Sequence, residues 1–140
     1  MTEPTIFITQ NAMMCPDGTY LVSSHVHDYR DHQGTNGDYC AVDGGYDYIK
    51  RVGYFKQCEE LSTFSDTPFL EAREKLVWGS YGKSGKEPLR YVRLKDMENE
   101  HIKAVIAILS SNRLLTKVGD WRISMMLQEL EYRKQRLLED

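Results

Sequence analysis

Histidine, aspartate and tyrosine crowd into one stretch, His25 to Arg51 (HVHDYRDHQGTNGDYCAVDGGYDYIKR), which holds three of the four histidines, five aspartates and four tyrosines. A stretch that only filled a core would not need this polar density. His25 and His27 sit two apart, with Asp28, Asp31 and His32 close behind. On a strand such alternate residues share a face, where imidazoles could move protons or hold a metal. The order departs from the HxHxDH signature of metallo-β-lactamase-like hydrolases in its second Asp–His pair, and the remaining histidine, His101, opens a helix. The spacing therefore predicts no bound metal, no cofactor and no catalytic set, with His27 and Asp28 hydrogen-bonded as a structural pair. The rival chemistry is a phosphodiesterase-like enzyme using His25, His27 and Asp28.

A second group lies in WGSYGKSGKEP, Trp78 to Pro88. Glycines 79, 82 and 85 let backbone N–H groups approach an anion, Lys83 and Lys86 add positive charge, and Trp78 and Tyr81 offer faces on which a base could stack. Neither GxxxxGK[ST] nor GxGxxG is present. Trp78, Tyr81, Lys83, Arg51, Arg90 and His27 are the candidate ligand-binding residues, with Arg51 and Arg90 placed as phosphate partners.

The elements that must position these residues follow from pattern. Thr5 to Thr9 (TIFIT) is β-branched and aromatic and reads as a strand; Pro16-Asp17-Gly18 is a turn, and Thr19 to Ser23 completes a hairpin. Further strand is expected from His25 to Asp43 around the Gly34, Asn36, Gly37, Asp38 connection, with YCAV (Tyr39 to Val42) stopping at Gly44-Gly45. A last strand of this β-rich part, residues 1–64, covers Leu61 to Phe64. Ser65-Asp66-Thr67-Pro68 is a helix start, and the helix is expected over 67–78, stopped by Gly79. A glycine-rich loop and a strand, Leu89 to Leu94, fill 79–94. Two helices follow over 96–138, with apolar stripes Ile102, Val105, Ile106, Leu109 and Ile123, Met126, Leu127, Leu130, Leu137. The class is α+β: a small antiparallel sheet, a short central helix and a C-terminal helical pair, read as one domain of 140 residues.

A formal net charge of −3 argues against general nucleic-acid binding, which draws on a basic surface. Residues 1 to 60 carry 4 Lys+Arg against 9 Asp+Glu, a balance of −5, leaving 14 against 12, or +2, for residues 61 to 140. An anionic ligand fits the second part better. Cys15, Cys40 and Cys58 are odd in number and share no CxxC spacing, so neither a disulfide framework nor a zinc ribbon is expected, and Cys15 and Cys58 read as small hydrophobes. No basic leader and no run of roughly 18 apolar residues appears. A cytoplasmic protein without membrane contact is expected. The charged rows flanking the stripe of the last helix suggest a homo-oligomer through the C-terminal helices.

The motifs HDY (His27 to Tyr29), VDGGYDYIKR (Val42 to Arg51), ELS with SDTPF (Glu60 to Ser62, Ser65 to Phe69), WGSYGKSGKEPLRYVRLKDM (Trp78 to Met97) and ELEYR (Glu129 to Arg133) resemble a group of small uncharacterised accessory proteins of tailed bacteriophages, over most of the chain. The resemblance implies residence in the host cytoplasm and a role in counter-defence. The leading expectation is a non-enzymatic binder that sequesters a small, cyclic nucleotide signal. The alternatives are the phosphodiesterase-like enzyme and an inhibitor that binds a host protein through the acidic first part.

Overall fold

The computed structural model describes residues 5–35, 37–53, 58–111 and 121–139. They form two compact units, Met1–Pro68 and Phe69–Asp140. The α+β class expected from the sequence holds, with small antiparallel sheets, a short central helix and C-terminal helices.

Among the described residues the first unit carries seven strands: β1 (Ile8–Met14), β2 (Tyr20–Ser23), β3 (Arg30–Gln33), β4 (Tyr39–Asp43), β5 (Lys50–Val52), β6 (Glu59–Glu60) and β7 (Thr63–Phe64). One sheet runs β2-β1-β6 with β7 also on β1, and the other runs β3-β4-β5. The second arm of the expected hairpin forms as β2, whose partner is Asn11–Met14, with Asn11 opposite Ser23 and Met14 opposite Tyr20. The strand placed at TIFIT is corrected: β1 starts at Ile8 and continues through Asn11 to Met14. Its middle is polar yet buried, a pattern that disguises a strand. It is tolerated because the polar groups are bonded. Thr9 Oγ1 meets Thr63 Oγ1 at 2.7 Å, Gln10 Nε2 donates to the Leu61 carbonyl at 2.8 Å, and the Ala12 amide donates to Ser62 Oγ at 3.2 Å. Met13, Cys15, Leu21, Cys40 and Val42 make the core.

The second unit holds α1 (Phe69–Lys75), the hairpin β8 (Val77–Ser80) and β9 (Arg90–Arg93), a 3₁₀ turn (Leu94–Asp96), α2 (Asn99–Ser111) and α3 (Trp121–Glu139). The helix expected over 67–78 ends at Lys75. Val77, Trp78 and Gly79 pair instead with Arg93, Val92 and Tyr91, so the strand ladder takes over the last residues of the expected helix. Ala72, Leu76, Leu94, Met97, Ile102, Val105, Leu109 and Met126 form this unit's core, and Trp78, Val92 and Leu130 pack on it. Among the described residues no helix is long and apolar enough to cross a membrane.

Candidate functional site

In the first unit the polar stretch folds into a bonded array around Asn11. Asn11 Nδ2 lies within bonding reach of the carbonyl oxygens of Asp43 (2.9 Å), Gly45 (3.1 Å) and Tyr48 (3.1 Å), which fixes the turn after β4. The turn needs glycine. A Cβ on Gly44 would stand 1.8 Å from the Tyr48 carbonyl oxygen, and one on Gly45 would stand 2.3 Å from the His25 carbonyl carbon. Ser23 Oγ ties the turn to the preceding loop, accepting from the Gly45 amide at 2.9 Å and donating to the Asp28 carbonyl at 2.7 Å.

Asp28 faces inward. It accepts from the Ser24 amide and from Arg30 Nε, both at 2.7 Å, and His25 Nε2 stands 3.8 Å away. Burial works to raise this carboxyl, but the Ser24 and Arg30 bonds outweigh it and hold it below the usual range. The expected His27–Asp28 pair is therefore corrected. His27 has φ 62°, the one non-glycine in the left-handed region among the described residues, and its Nδ1 meets Tyr48 Oη at 3.2 Å. Tyr48 Oη also donates to Asp43 Oδ2 at 3.3 Å. Burial, followed by the Asp43 charge, pushes the Tyr48 phenol up, so it keeps its proton. A carboxylate, a phenol and an exposed imidazole thus stand in series, an arrangement able to accept or donate hydrogen bonds at the surface. Asp43 Oδ1 is buried without a hydrogen-bond partner.

Arg51 closes the other side of Asn11. Its Nη1 donates to Asn11 Oδ1 at 2.7 Å, while Nε and Nη2 take Glu60 bidentately at 3.0 and 2.7 Å and Nη2 also reaches Ser62 Oγ. The side chain is only 7% exposed. Here Arg51 is an internal cation joining three strands, already engaged by a carboxylate.

His32 belongs to a separate small cleft with Cys15, Asp17 and Asp38, which encloses about 140 Å³. That is below the roughly 300 Å³ at which small-molecule sites begin. His32 Nε2 meets Asp17 Oδ2 at 2.7 Å. This bond, with help from Thr19, pulls the Asp17 carboxyl down to about 2. Burial pushes the Cys15 thiol up to about 12, the reverse of what a nucleophile beside a histidine requires. Among the described residues no three His, Cys, Asp or Glu side chains are placed to hold a metal ion.

No family model, curated protein or solved structure matches the chain.

The second unit carries the other candidates. Trp78 lies on β8 opposite Val92, and both pack on the core. Its ring is thereby engaged inside the unit. Tyr81, 55% exposed, begins the loop beyond β8, Lys83 and Lys86 are exposed along it, and exposed Arg90 opens β9. The loop turns at Gly82 and Gly85, both at positive φ, with the Gly85 amide donating to the Gly82 carbonyl at 3.1 Å. The Glu87 carboxylate rests against Gly82, where a Cβ would meet its Oε2 at 1.4 Å. Trp78, Tyr81, Lys83 and Arg90 thus share one hairpin of the second unit, whereas Arg51 and His27 belong to the hydrogen-bonded array of the first. The pattern of residue types singled out the hairpin; the Asp43–Tyr48–His27 series escaped it, because Tyr48 and His27 are 21 residues apart and no motif links them.

Proposed function

We propose that the protein is a non-enzymatic binder that captures a small nucleotide, with the hairpin loop of the second unit as its ligand-binding element. The observation that carries this reading is the exposed Tyr81 ring followed by exposed Lys83 and Lys86 on a loop with two positive-φ glycines, with exposed Arg90 opening β9 at its end. A base stacks on the phenol face and phosphates meet the cations. Trp78 serves by packing the base of the hairpin. In the phage setting that the sequence motifs suggest, such a protein acts in the host cytoplasm by lowering the free concentration of a signalling nucleotide. Copies pair through α3, whose Leu127, Leu137 and Leu138 are exposed.

A second reading is favoured by a different surface. Tyr29, Tyr39 and Tyr46 are exposed on the acidic first unit, with the Tyr29 and Tyr39 hydroxyls bonded to each other and Tyr39 Oη donating to Asp31. Tyrosine is enriched at protein-binding surfaces, and the neighbouring carboxylates suit this face to a host protein with a basic surface.

One experiment separates the readings. The protein is incubated with a panel of cyclic and linear nucleotides, washed, denatured, and the released ligand analysed. Intact nucleotide supports capture; altered nucleotide transfers the function to the Asp43–Tyr48–His27 series as an enzyme. No retained nucleotide sinks capture and leaves the tyrosine face.

A further inference from the structure

Three cysteines that share no motif are brought into one place by the fold. Cys40 lies on β4 and Cys58 immediately precedes β6, and their Sγ atoms are 3.2 Å apart. Cys15, just after β1, is packed in the same core as Cys40, and Cys58 lies against that core. All three are free thiols. Cys15 and Cys40 are buried at 1% exposure, whereas Cys58 is half-buried. β4 belongs to the sheet β3-β4-β5 and β6 to the sheet β2-β1-β6, so the Cys40–Cys58 contact spans the two sheets.

We propose that Cys40 and Cys58 form an oxidation site, a thiol pair that closes into an intrachain disulfide on meeting a small disulfide such as oxidised glutathione. The partly exposed Cys58 is the entry point. Its sulfur, as thiolate, attacks one sulfur of the reagent; the reagent's S–S bond breaks and the first thiol leaves with a proton. Cys40, already in contact, then attacks the Cys58 sulfur and expels the second thiol. The protein thiols lose two electrons and two protons, and the reagent gains them as two thiols. A disulfide is about 2.05 Å long, so the sulfurs need approach by little more than 1 Å.

The segment such a bond encloses, between cysteines 18 positions apart in the sequence, contains Asp43, Gly44, Gly45, Tyr48 and Arg51. Its formation therefore locks the array around Asn11 as well as the two sheets. The pair is poised by contact, not by acidity: burial pushes Cys58 up to about 12. It is therefore slow to react and answers to a sustained change in the thiol pool.

The test uses the full chain. Native protein is held with oxidised glutathione, alkylated, digested and read by mass spectrometry, with melting followed in parallel. The expected result is a Cys40–Cys58 linked peptide, an alkylated Cys15, and a melting temperature raised by at least about 4 °C. Cys58→Ser abolishes the link and the shift, while Cys15→Ser keeps both. A lasting glutathione adduct on Cys58, a Cys15–Cys40 bridge, or three thiols still free after prolonged exposure would overturn the proposal.

Discussion

Arg73 of α1 grips Glu129 of α3 through two parallel hydrogen bonds, 2.7 Å from Nε and 2.9 Å from Nη2, and Glu129 is fully buried. A second guanidinium completes the site: Arg133 Nε donates to Glu129 Oε2 at 2.7 Å and its Nη2 reaches the carbonyl oxygens of Leu94 and Lys95. Arg73 also stacks over Tyr132, 4.6 Å from the ring centre. The carboxylate is desolvated, but both oxygens are bonded to cations, which is the condition under which a buried charge is tolerated.

Removing that carboxylate leaves two arginines facing each other. We expect Glu129→Ala to destabilise the second unit by about 3–5 kcal/mol, with Glu129→Gln between it and the native protein. Urea unfolding followed by tryptophan fluorescence measures this. A loss below about 1 kcal/mol would mean that the arginines find water or other partners.

Part of what distinguishes the sequence motifs thus has a structural cause. ELEYR supplies Glu129, Tyr132 and Arg133 to the same ion cluster, and DGGYDYIKR supplies the glycine turn, Tyr48 and Arg51. The turn at Pro16-Asp17-Gly18 with β2 after it, the turn at Gly44-Gly45 and the paired C-terminal helices were readable because turn chemistry and apolar period are local signals. The end of α1 was not, since Leu76 and Val77 keep helical spacing after Ala72 while pairing with β9 decides the backbone from Val77 on. Nor were the engagement of Arg51 by Glu60 and the meeting of Cys40 with Cys58, which depend on strands distant in sequence.

Trp78 and Tyr81 separate packing from binding. Trp78→Ala removes a ring packed on the second unit's core and should cost about 2–4 kcal/mol of stability. Tyr81→Ala should leave stability within about 0.5 kcal/mol and weaken nucleotide capture by about 1–3 kcal/mol. Thermal melting and equilibrium dialysis read the two effects. Glu87→Gln removes the carboxylate resting on Gly82 and should tighten capture. Weaker capture in that variant would mean that Glu87 orders the loop.

Alkaline stability of the first unit should follow its thiols. Cys15 and Cys58 are pushed from 9.0 to about 12, in both cases by burial first. Folding therefore favours their protonated forms; their contribution is fully present below pH 9 and is lost as pH rises from 9 towards 12. The double variant Cys15→Ala, Cys58→Ala should show a shallower fall of melting temperature across that window. Identical slopes for the two proteins would assign the alkaline loss to other groups.

The stripe of α3 divides in two. Met126 is buried and Leu130 packs beside it in the core, so these residues are committed within the chain. Leu127, at 52% exposure, and Leu138, at 74%, lie on another face, eleven residues apart and so nearly aligned along the helix. Glu131 and Lys134 lie between them on that face. Two copies packed antiparallel would bring each Leu127 towards a Leu138 and set opposite charges across the seam, which is the self-complementarity that a two-fold interface needs. Sedimentation velocity should then show a dimer, and Leu127→Glu should shift it to monomer without lowering the melting temperature at low protein concentration. A native protein that sediments as a monomer across the micromolar range would remove α3 as an assembly face.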